Sequence, residues 1–95
     1  MPGWDNRFRH FEVTLSPASV AANTSAEETF TVAGLEVTDT IVGCNKPTAQ
    51  AGLGIVGVRV SAADTIAITF GNFTGSAIVP TASQSYKIAA MRQQP

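Results

Sequence analysis

Leu53-Gly54-Ile55-Val56-Gly57-Val58-Arg59-Val60-Ser61, joined through Ala62-Ala63-Asp64 to Thr65-Ile66-Ala67-Ile68-Thr69-Phe70, is the stretch that decides the fold. Both runs alternate. Val56, Val58 and Val60 share one face of the first, with Arg59 on the other; Ile66, Ile68 and Phe70 point one way in the second, with Thr65, Ala67 and Thr69 opposite. A period of two in β-branched residues is the mark of a half-buried strand, and so short a link makes the two strands a hairpin. The same stretch opens with Gly52-Leu53-Gly54-Ile55-Val56-Gly57, which spells the G-x-G-x-x-G dinucleotide fingerprint. That fingerprint works only where a helix begins at the glycines and presents its N-terminus to a pyrophosphate. Here a β-branched strand follows, and no acidic residue stands about 20 positions on to hold a ribose. The glycines are therefore read as places of close backbone approach or of a bulge.

The pattern extends in both directions. Upstream, Arg9-His10-Phe11-Glu12-Val13-Thr14-Leu15 alternates, with Phe11, Val13 and Leu15 on one face, and ends before Pro17, which lacks a ladder donor. Residues 18–28 are Ala-rich and carry Ser25-Ala26-Glu27-Glu28, a capping-box pattern. A helix begun there would have no body, because Thr29-Phe30-Thr31-Val32 follows at once; the segment reads as a loop leading into a strand over 28–32. Ala33-Gly34 marks a turn, Leu35-Glu36-Val37 a short extended piece, and Thr40 to Cys44 a third strand closed by Asn45-Lys46-Pro47-Thr48. Downstream, 71–83 is a long connection with Gly75 and Pro80. Ser85 to Arg92 is a last strand with Tyr86, Ile88 and Ala90 on one face. Strands at this spacing, with no convincing helix, predict an all-β fold: a small antiparallel β-sandwich, Ig-like or jelly-roll-like, of six or seven strands. The domain is placed at 11–95, preceded by an extended N-terminal arm, 1–10.

Composition narrows the function. The chain has 95 residues, one domain's worth, with a single His, Cys and Trp. One cysteine makes no internal disulfide, and Cys44 in its apolar strand reads as a buried, quiet thiol. The seven carboxylates are scattered; Glu27 and Glu28 are adjacent, but neighbours in a strand face opposite ways, so no acid–base pair is indicated. No zinc constellation exists and no cofactor is expected. The reading is of a protein that is not an enzyme. A net charge of −1 offers nothing to a nucleic-acid backbone, and Arg7-Phe8-Arg9-His10 is too short for a phosphate-binding arm. Neither nucleic acid nor membrane is expected as a partner: no run approaches the roughly 18 apolar residues of a span, and Met1 to Arg7 has no apolar core of a signal peptide. Asn23-Thr24-Ser25 and Asn72-Phe73-Thr74 match glycosylation acceptors and are read only as exposed loops.

Charged residues are 14% of the chain, against roughly 25% in ordinary soluble domains. Ala, Thr, Ser and Gly take their place, which suits either a surface that packs on a neighbour or a weakly charged polar one. The arm points toward a partner. Trp4, Phe8 and Phe11 lie within eight positions, interleaved with Asp5, Arg7 and Arg9. Rings left in water forgo roughly 1.5–3 kcal/mol each. Trp4, Arg7, Phe8, Arg9 and Phe11 are accordingly the candidate partner-binding residues, docking on another protein or on their own domain.

The order of several short segments carries a resemblance. Val13-Thr14-Leu15-Ser16-Pro17-Ala18-Ser19-Val20, continuing to Val32, is followed by Asn45-Lys46-Pro47-Thr48, by Gly52-Leu53-Gly54-Ile55-Val56, by Val60 to Phe70, and by Pro80-Thr81 with Ser85-Tyr86-Lys87-Ile88. Over about 11–92 the chain resembles the small β-domains of tailed-bacteriophage virion proteins, which stand alone or end longer head or tail fibres. The resemblance implies a structural role in the virion, assembled in the host cytoplasm. That role is a capsid decoration (cement) protein on the major capsid protein or another virion protein, often as a homotrimer, or a fibre knob or tail accessory that binds a host-surface glycan or protein. It brings no catalytic residues, and the arm 1–10 is not a shared part. The trimer contacts are expected on Leu53–Val60 and Tyr86–Met91.

Overall fold

A computed structural model describes residues 8–92. Among them are six strands and no helix: β1 Phe8–Leu15, β2 Thr24–Thr31, β3 Asp39–Asn45, β4 Leu53–Ala62, β5 Thr65–Asn72 and β6 Gln84–Arg92. They form two three-stranded sheets, β1-β6-β3 and β2-β5-β4, with every neighbouring pair antiparallel. The small β-sandwich expected from the alternation is what the chain builds. The order β2-β5-β4 opposite β6-β3 is that of an immunoglobulin-type sandwich, with β1 beside β6 where the last strand would lie.

The inward faces of the two central strands make the core. Ile66, Ile68 and Phe70 of β5 and Tyr86, Ile88 and Ala90 of β6 are all but sealed from solvent, as their spacing predicts. Leu15, Val20, Val32 and Leu35 close the ends. Tyr86 is fully buried, and its phenol oxygen has no hydrogen-bond partner among the described residues. Burial pushes its pKa up. An orphaned hydroxyl in a core costs its desolvation. Tyr86→Phe should therefore leave the domain equally stable or more stable by about 1 kcal/mol, read from the denaturant midpoint. A loss of stability would show that the hydroxyl is satisfied.

Several sequence expectations are corrected. β2 begins at Thr24, four residues earlier than expected: Ser25-Ala26-Glu27-Glu28 is strand, not loop, paired with Gly71 to Ile68 of β5. Asn23, at φ 54°, makes the turn that admits it. Leu35 lies in a loop rather than in an extended piece; its carbonyl accepts the Asp64 N–H at 2.8 Å and its side chain plugs that end of the core. Ala67 points outward yet is fully buried. From β4, Arg59 reaches across β5 to Glu27 of β2, in a two-pronged pair at 2.9 and 3.0 Å. By register Arg59 stands opposite Ala67 and Glu27 opposite Thr69, so the pair crosses β5 diagonally on the face that Ala67 shares.

Val56 is the most instructive miss. It is 53% exposed, not in the core with Val58 and Val60. The ladder slips between Ile55 and Gly57, so Ile55 and Val58 both face inward and Val56 is extruded. β3 does the same: the slip between Ile41 and Gly43 turns Ile41 and Cys44 inward and leaves Val42 51% exposed. Ile-Val-Gly occurs at both places, 41–43 and 55–57. Both strands are sheet edges, where bulges blunt open pairing.

The strands run between two ends. At one, Phe8 pairs with Met91, and the 32–38 loop meets the β4–β5 turn at Asp64. At the other lie the loops 16–23, 46–52 and 73–83, with Val20 bridged to Ile78. Both chain ends of the described domain thus share the first end.

Candidate functional site

Of the candidate partner residues, Phe8 and Arg9 are exposed at the start of β1, Phe8 by 56%. Phe11 instead packs against the core, its ring over Gly34. Trp4 and Arg7 lie outside the described residues. β1 begins at Phe8, so the expected boundary at 10/11 falls inside a strand: Phe8, Arg9 and His10 pair with Met91, Ala90 and Ala89.

The carboxylates of the described residues are occupied with holding the fold. Glu12 accepts the Ser85 hydroxyl at 2.7 Å, Glu28 the Ala18 N–H at 2.8 Å, and Asp64 the Gly34 N–H at 2.8 Å. Glu27 holds Arg59, whose hydrogen bond lowers its pKa. Arg92 grips Asp39 with two bonds, at 2.7 and 2.9 Å, and also reaches Glu36 and the Gly34 carbonyl. No group of three His, Cys, Asp or Glu among the described residues could hold a metal ion.

Cys44 is half-buried against the core, and burial pushes its thiol pKa up. His10 is exposed on the outer face of the same sheet, two strands from β3. Thiolate chemistry needs the opposite environment. Native protein should react with a thiol reagent more slowly than an exposed cysteine does, because burial disfavours the thiolate. Rapid stoichiometric labelling with the fold intact would show a thiol more accessible than this packing gives.

One apolar patch lies at the loop end. An open groove of about 510 Å³ runs over Gly71, walled by Val56 and Phe73 and rimmed by Asn23, Thr24 and Ser25. Phe73 is 71% exposed. A Cβ on Gly71 would stand 3.0 Å from both the Phe73 ring and a Val56 methyl, so the glycine lets the two walls close over the strand. Sequence reasoning missed this site because it put Val56 on one face with Val58 and Val60. The repeated Ile-Val-Gly was the available signal.

Asn72 fixes that wall. It is 1% exposed, and its amide satisfies all its bonding capacity. It donates to the carbonyls of Val20 (3.0 Å) and Ser76 (2.8 Å), and its oxygen accepts from the Thr74 N–H (2.9 Å) and hydroxyl (2.8 Å). Asn72-Phe73-Thr74, expected to be an exposed acceptor loop, is therefore a structural clamp at Asn72 with an exposed Phe73 beside it.

No family model, no curated protein and no solved structure matches this chain.

Proposed function

We propose that this chain is a non-enzymatic structural module of a phage particle, a capsid decoration protein held to the major capsid protein or another virion protein through its N-terminal arm. The family resemblance over 11–92 motivates the virion role. The observation that carries the attachment reading is that the first and last strands of the described domain begin and end together at one end of the sandwich, Phe8 opposite Met91. An arm leaving there can grip a surface while the three loops of the other end point away. The exposed Phe8 and Met91, paired at that end, extend an apolar footing for it. Many copies, each with a small contact, then hold durably when several contacts act together.

The groove at the loop end favours a second reading, a fibre knob whose loops recognise a host-surface glycan or protein. Deletion of residues 1–7 separates the two. The truncated chain should fold to the same β-sandwich and no longer stay on purified particles. Retention as tight as that of the full chain would refute arm attachment.

A further inference from the structure

Val56 and Phe73 stand side by side in water over a glycine floor, an apolar cleft with a polar rim. Among residues 1–7 and 93–95, which lie outside the described ones, the one large apolar ring is Trp4, the sole tryptophan of the 95 residues. We propose that the groove over Gly71 receives Trp4 of a second copy of this chain, so that copies join head to tail through their arms.

Reach excludes the groove of the same copy. Trp4 is four residues from Phe8, at most about 14 Å of extended chain. Phe8 lies at the end where β5 begins, and the groove lies where β5 ends at Gly71 and Asn72. The length of β5 is about 23 Å, and the groove is on the far sheet, about 10 Å across the sandwich. The chemistry suits an indole. Phe73 offers an aromatic face or edge, Val56 a second wall, and the hydroxyls of Thr24 and Ser25 acceptors for the indole N–H. The contact is heterologous, one patch against a different patch, so it repeats until a ring closes. A closed trimer is the assembly the sequence reading expects. The inference rests on the attachment reading only in taking the arm to be a binding element, and names its partner as another copy.

The test is complementation between two full-length variants. Trp4→Ala keeps a groove and loses the ring; Phe73→Asp keeps the ring and spoils the groove. Sedimentation should show the parent chain self-associating and each variant alone at least tenfold weaker, with melting temperatures near the parent's. An equimolar mixture should form one-to-one dimers, since one good arm then meets one good groove. Tryptophan emission from Phe73→Asp should shift to the blue on adding Trp4→Ala. A parent that stays monomeric at high micromolar concentration, a Trp4→Ala variant that associates like the parent, or a mixture that stays monomeric overturns the proposal. Should Phe73→Asp not fold, Val56→Asp takes its place. Retention on particles, scored separately, tests the attachment reading, which survives if only self-association fails.

Discussion

Asn72→Ala should destabilise the domain by about 3–4 kcal/mol, because it deletes four hydrogen bonds and strands buried carbonyls. The side chain ties three segments together: the end of β5, the 16–23 loop through Val20, and the turn through Thr74 and Ser76. At roughly 4–8 °C per kcal/mol for a domain this small, the melting temperature should fall by roughly 12–32 °C. Asn72→Asp should be no milder, since it sets a carboxylate against the Val20 and Ser76 carbonyls that the amide now serves. A fall under about 5 °C for either variant would mean that the loop is held by something else. The backbone pairing of Val20 with Ile78 is the nearest alternative. Because Phe73 follows directly, partial loosening short of unfolding should also abolish the groove.

Asp39→Ala should cost about 3–5 kcal/mol, the usual effect of removing one partner from a buried ion pair. The Asp39 side chain is fully buried, and Arg92 is 17% exposed. The pair ties the end of β6 to the start of β3, and Arg92 also holds the loop at Gly34 and Glu36. Replacing both residues with leucine should cost less than Asp39→Ala alone, because no unpaired charge is left inside. The same pair sets an acid limit. Arg92's hydrogen bond holds the Asp39 carboxyl below its ordinary pKa, helped by the Glu36 N–H. A carboxyl with a depressed native pKa stabilises the fold above its unfolded value of about 3.9. That contribution is lost as pH falls through the native value. Stability should therefore decline below about pH 4–5, and Asp39→Asn should flatten part of that slope. An unchanged acid profile in Asp39→Asn would assign the limit to other carboxylates.

The hairpin, the core faces of β5 and β6 and the all-β class were legible because each depends on local alternation alone. β5 is central, so its neighbours enforce the pleat, and Ile66, Ile68 and Phe70 lie where a period of two puts them. Edge strands escaped the same rule. A bulge resets the period by one residue, and β3 and β4 each carry one at Ile-Val-Gly. Strict alternation therefore put Val56 on one face with Val58 and Val60. β2 was shortened for a different reason. Ser25-Ala26-Glu27-Glu28 has weak strand propensity, and only pairing with β5, over forty residues away in the chain, extends the strand to Thr24. Asn72 was misread because a glycosylation-type tripeptide and a loop clamp use the same residues, and only burial distinguishes them. Among the site residues, Phe11 was placed by alternation on the inward face, and there it packs. The groove needed the β4 bulge, Gly71 with the Asn72 clamp, and the rim at Asn23-Thr24-Ser25 together, from three separate segments of chain.

The central claim is attachment to a particle in many copies, and the most direct measurement is quantitative densitometry of this chain against the major capsid protein in purified virions. The account predicts a copy number of the same order as that of the capsid subunits, reduced to background when residues 1–7 are deleted. A few copies per particle would contradict it in favour of a fibre knob, and absence from the particle would contradict the virion reading altogether.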